Sequence, residues 1–123
     1  MGHNLCLDVF GGPSAEEAAA GLSAYGEGSI AIYSIEDHQS SLAMRAHLPI
    51  AQLNFERRLS LHGPAVHIRE TVENLTGVDR PVGWTQHVTM GPPFLERGVT
   101  EFRVAATRSK TFEGAFGSAD YLV

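Results

Sequence analysis

Residues 53–61, LNFERRLSL, alternate strictly. Leu53, Phe55, Leu59 and Leu61 take the odd positions with Arg57 among them, and Asn54, Glu56, Arg58 and Ser60 take the even ones. A helix would space its apolar residues three and four apart, so a period of two selects a half-buried strand. HGP at 62–64 is a turn, and AVHIRETVENL reads as the return arm of a hairpin. A hairpin with one apolar face must bury it against another layer, which restricts the chain to a layered, mostly antiparallel β architecture.

The same period extends this reading from residue 41 to about 105. TGVDRP at 76–81 is a second turn, with Pro81 opening a strand over VGWTQHVTM. VTEFRVAATR at 99–108 reads as a further strand, and GSADYLV at the end resembles another. Upstream, NLCLDVF enters a Gly-Gly-Pro loop. Ser14 and Glu17 then form a capping box for a helix of about two turns that Gly21 ends. SIAIYSIE at 29–36 is rich in β-branched and aromatic residues and reads as a strand. Leu53, Phe55, Leu59, Leu61, Trp84 and Val88 are the expected core. The chain shows no internal repeat and no interdomain linker, so one domain over 1–123 is expected.

Composition narrows the function classes. A formal net charge of −5 argues against a general nucleic-acid binder, which needs a basic face. No apolar run is long enough to span a bilayer, and the N-terminus lacks the pattern of a signal peptide. Cys6 is the single cysteine, so no internal disulfide framework forms. A soluble, cytoplasmic protein with no nucleic-acid or membrane partner is the expectation.

Chemistry concentrates in RPVGWTQHVTMGPPFL, residues 80–95. On a strand Val82, Trp84, Gln86, Val88 and Met90 share one face, and Gly83, Thr85, His87 and Thr89 the other. The first face is large and mostly apolar and should pack on a second layer. The second is small and polar around one imidazole. It suits a polar ligand, although a solvated face with a surface histidine gives the same pattern.

The stretch ETVENLTGVDRPVGWTQHVTMGPPFLERG resembles the aldose 1-epimerase, galactose mutarotase-like family, in particular its divergent bacterial branch. His87 matches the family's sugar-contacting histidine. GGPSAEEAAAGLSAYGEG also resembles the family, where a His-Gly-Glu-like element lines the pocket. Here Tyr25-Gly26-Glu27 stands in that place, so one expected histidine contact is replaced by a phenol. The resemblance covers about residues 1–105. It implies a partial antiparallel β-sandwich of galactose mutarotase-like type, acting on an aldose. Family members are considerably longer and take a glutamate from near their C-terminus, so the resemblance also implies a fragment whose catalytic base lies beyond Val123.

The implied reaction opens a hemiacetal ring and recloses it on the other face. It needs a general acid at the ring oxygen and a general base at the anomeric hydroxyl, with no cofactor and no metal. Histidine suits the acid role, and the resemblance assigns it to His87. Tyr25, Glu27, Arg69, Thr85 and Gln86 are the expected substrate contacts. Arg69 shares a face with His67 and Thr71 and equally fits a surface arginine. Glu70, Glu73 and Glu96 are base candidates by residue type alone and fit solvated charges better. A non-catalytic carbohydrate-binding protein of the same fold is the alternative function, and the Tyr25 replacement leans toward it.

Other features carry less. His62 and His67 lie five apart across a turn and admit a metal pair, with no third ligand spaced to join them. There is no G-x-S-x-G elbow, and YGEG and FGGP lack the lysine and serine of a phosphate loop. Asn74-Leu75-Thr76 fits a glycosylation sequon and reads better as a turn. Trp84 alternates away from His87, which favours core packing over stacking on a sugar.

Overall fold

The computed structural model describes residues 2–108, and the expected strand over GSADYLV lies outside them. The chain divides into two units, one through Met90 and one from Gly91 onward.

The first unit is mainly antiparallel β. In chain order it contains β1 (Gly2–Leu7), α1 (Ala15–Ala19), a 3₁₀ turn (Glu27–Ser29), β2 (Ser34–Asp37), β3 (Ser41–Leu48), β4 (Leu53–His62), β5 (Ala65–Asn74) and β6 (Trp84–Thr89). Strands β2 to β5 form a four-stranded meander in sequence order, and β1 pairs with β6 in a separate two-stranded sheet. All these pairings are antiparallel.

The alternation in 53–61 becomes the inner face of β4. Leu53 and Phe55 are buried, in register with Leu48 and Ala46 of β3. Leu5 and Leu7 of β1 join Ala46, Leu48, Leu53 and Phe55 in one core cluster, with Tyr33, Val72 and Val82 packed around it. The smaller sheet therefore covers one end of the larger. Between β4 and β5, Gly63 holds φ +59. Pro64 fixes a negative φ at the next position, so the tight turn is of the type that takes glycine first.

Helix α1 begins as its sequence demands. The Ser14 hydroxyl accepts from the Glu17 amide at 3.2 Å, and the Glu17 carboxylate accepts from the Ser14 amide at 2.7 Å. The helix is five residues long and buries none of them.

Four expectations need correction. The strand expected over 29–36 begins only at Ser34. Before it, Tyr33 donates its hydroxyl to the Gly28 carbonyl at 2.5 Å and packs against the core, which pulls the chain out of the ladder. The strand expected over 4–10 ends at Leu7, because Asp8 turns at φ +66. Residues 99–108, in the second unit, form no strand. There, turns closed by Val99 and Thr100 amides on the Glu96 carbonyl replace it. Finally, Leu61 (67%), Trp84 (45%) and Val88 (47%) are exposed and Leu59 is half-buried. For Leu61 and Leu59 the reason is that a two-stranded sheet is too narrow to cover the far end of a four-stranded one.

Candidate functional site

The two faces of β6 separate as their composition requires. Trp84 Nε1 donates to Glu70 Oε2 at 3.2 Å, and Gln86 Nε2 donates to the same oxygen. Glu70 stands on the inner face of β5, so Trp84 and Gln86 look toward the large sheet. His87 takes the opposite face, in register with Asn4 of β1, and Thr85 is in register with Cys6.

Two aromatic rings meet His87 there. The Tyr25 and His87 ring centroids lie 5.8 Å apart at 46°. Phe10 stands edge-on to both, at 6.2 Å from His87 and 6.5 Å from Tyr25. The Tyr25 backbone is fixed on both sides: its amide donates to the Gly11 carbonyl at 3.0 Å, and its carbonyl accepts from the Leu7 amide at 3.2 Å. Tyr25 holds φ +68. This left-handed conformation costs a non-glycine residue about 1–2 kcal/mol, so the surrounding bonds impose it. Gly26 follows at φ +84, where a Cβ would lie 2.0 Å from the Leu7 carbonyl oxygen. Only glycine lets this segment lie against the edge of β1.

His87 is half-buried, and neither ring nitrogen hydrogen-bonds to any described residue. Its Nδ1 is buried without a partner. The arrangement is an imidazole and a phenol side by side on a small-polar face, with Phe10 (60% exposed) offering an apolar edge.

The other expected contacts scatter. Thr85 is exposed on the His87 face. Gln86 turns inward, where it also contacts His3. Glu27 is buried and accepts from the Ala51 amide at 2.9 Å, tying the 3₁₀ turn to the β3–β4 turn. Arg69 is exposed on the outer face of β5, opposite Arg58. Glu70 is no solvated charge. Its side chain is 6% exposed and accepts from Arg57 Nε at 2.6 Å. Glu73, on the outer face, accepts from Asn54 at 2.8 Å. Asn74 caps a turn through Thr76 and the Val78 carbonyl, as the turn reading expects.

Phe10 and Asn4 escaped the sequence reading. Asn4 follows from strand pairing, which no single-strand pattern encodes. Phe10 sits in a loop, where alternation gives no face. Cys6 shares the His87 face of β1 but is buried, which pushes its thiol above the ordinary range and keeps it protonated and unreactive.

Comparison of the chain with protein-family models, curated proteins and solved structures finds no match. Among the described residues no helix is long and apolar enough to cross a membrane, and no group of three or more His, Cys, Asp or Glu side chains is arranged to hold a metal ion.

Proposed function

We propose that the Tyr25–His87 face is part of a sugar site of the aldose 1-epimerase, galactose mutarotase-like type, and that the two sheets are part of that family's β-sandwich. The observation that carries this reading is the 5.8 Å pairing of Tyr25 with His87. These are the two positions that the resemblance selects independently, from stretches far apart in the chain. His87 is the general acid: as an imidazolium it gives a ring proton to the ring oxygen of an aldose as the hemiacetal opens, and is left as neutral imidazole. The Tyr25 phenol and the Thr85 hydroxyl bind sugar hydroxyls, and Phe10 offers its ring to an apolar sugar face. Glu27, Gln86 and Arg69 drop out of the contact set on their geometry. Glu70 and Glu73 drop out as bases, since neither lies on the His87 face. A single buried cysteine fits a reducing, cytoplasmic setting.

A carbohydrate-binding protein without catalysis is the second reading, favoured by a phenol where the family has a histidine. Polarimetry on a fresh α-anomer, with the spontaneous rate subtracted, tests the first. In the full-length protein His87→Asn lowers the catalysed rate by at least about a hundredfold, the usual scale for loss of a general acid. A His87→Asn variant as fast as the parent overturns the acid role. A parent that binds an aldose, by calorimetry, without accelerating mutarotation moves the protein to the second reading.

A further inference from the structure

We propose that His62 and His67 form a preorganised two-imidazole chelate for a tetragonal divalent cation, Cu²⁺ or Ni²⁺, at the tip of the β4–β5 hairpin. His62 is the last residue of β4 and pairs with Ala65, while His67 pairs with Ser60. The two histidines are thus diagonal neighbours on one face, joined through the Gly63–Pro64 turn. Their ring centroids lie 4.4 Å apart and the planes tilt by 41°.

That spacing discriminates between geometries. With a metal–nitrogen bond of about 2.0–2.1 Å and a further ~1.1 Å from nitrogen to ring centre, each centroid stands about 3.2 Å from a shared ion. Two such ligands at a right angle place their centroids about 4.5 Å apart, and at the tetrahedral angle about 5.2 Å. The observed 4.4 Å fits the right angle. Cis ligands at a right angle belong to square-planar, tetragonal or octahedral ions, and imidazole suits Cu²⁺ and Ni²⁺ among these.

Both histidines are exposed at the hairpin tip, where an ion can reach them from solvent. The hairpin holds the two backbones in register before metal arrives, which removes part of the ordering cost of chelation. With two protein ligands, water completes the coordination and the ion stays exchangeable. This differs from the closed four-ligand cage of a structural zinc site.

The test is a Cu²⁺ titration of the full chain carrying His3→Gln, which removes a competing histidine close to the amino terminus. Calorimetry should give one site per chain, and electron paramagnetic resonance should show coupling to two equivalent nitrogens. His62→Gln and His67→Gln, each at an exposed hairpin position, should each weaken binding at least tenfold and reduce the coupling to a single nitrogen. His38→Gln and His47→Gln should leave both readouts unchanged. Undiminished binding in the His62→Gln/His67→Gln double variant overturns the proposal. So does coupling to a single nitrogen in the parent chain, since the two imidazoles then do not share the ion.

Discussion

Arg57 on β4 and Glu70 on β5 face each other in register between the two sheets, with 2.6 Å from Nε to Oε1 and side chains 13% and 6% exposed. Arg57 Nη2 is 2.6 Å from the same oxygen but misdirected for a hydrogen bond. The other carboxylate oxygen takes Trp84 and Gln86 from β6. One carboxylate thus joins the layers through two side chains of β6, while Arg57 holds it within its own sheet. Glu70→Ala strands the buried guanidinium and should destabilise the fold by about 3–5 kcal/mol. Replacing both partners together, Arg57→Met with Glu70→Leu, should cost clearly less. Urea unfolding of the three variants checks the order.

Gly26→Ala should be among the most damaging single changes. The backbone stands at φ +84 and ψ 174, a region essentially reserved for glycine, and the added Cβ meets the Leu7 carbonyl. A loss of about 3 kcal/mol or more is expected in thermal or urea unfolding. Gly77→Ala, with open space around it, should stay within about 0.5 kcal/mol of the parent.

Acid should loosen the meander. The Arg45 hydrogen bond holds the Glu36 carboxyl below its ordinary range, and Arg58 followed by Arg45 does the same for Glu56. A carboxylate whose pKa is depressed on folding stabilises the fold above its unfolded value and loses that contribution as pH falls through the folded one. The melting temperature should therefore drop as pH is lowered below about 4.5, the ordinary value for these groups. Arg45→Gln should flatten this dependence. Because both carboxylates are substantially exposed, 0.5 M salt should flatten it as well.

The far end of the meander should be adhesive. Leu42, Leu61, Val66 and Ile68 are exposed on its inner side, and β5 is an edge strand among the described residues. Exposed apolar surface beside an unpaired edge promotes association. Static light scattering should show association that rises with concentration, and Ile68→Lys should reduce it without lowering the urea midpoint by more than about 1 kcal/mol in free energy.

Local rules made much of this molecule legible in advance. Alternation located the β4–β5 hairpin, and the Ser14–Glu17 spacing located the helix start. Alternation also put Trp84 and His87 on opposite faces of β6. What stayed hidden depends on contacts between distant segments. Leu61 and Val88 carry the pattern of buried residues, yet burial depends on how wide the opposing sheet is, which no strand records in its own sequence. The Tyr25-Gly26-Glu27 resemblance places Glu27 in the pocket, and its actual partner, the Ala51 amide, is a backbone group without a sequence signature. Arg80 bonds the Asp8 carboxylate at 2.8 Å and the Ala51 carbonyl at 2.9 Å, a link between three loops that only the assembled fold brings together.

Strand order also sets a sequence of events. The meander β2 to β5 needs only neighbours to meet, whereas β1 reaches β6 across everything between them, with Gly2 opposite Thr89. Contacts between neighbours form fast, and those that close long loops form late. Asn4 comes beside His87 only when β1 and β6 pair, and Tyr25 comes over it only when its carbonyl finds the Leu7 amide at the edge of β1. A chain that has completed its hairpins but not this closure already holds most of its sheet and none of its site. The Tyr25–His87 pairing is then assembled in one late step.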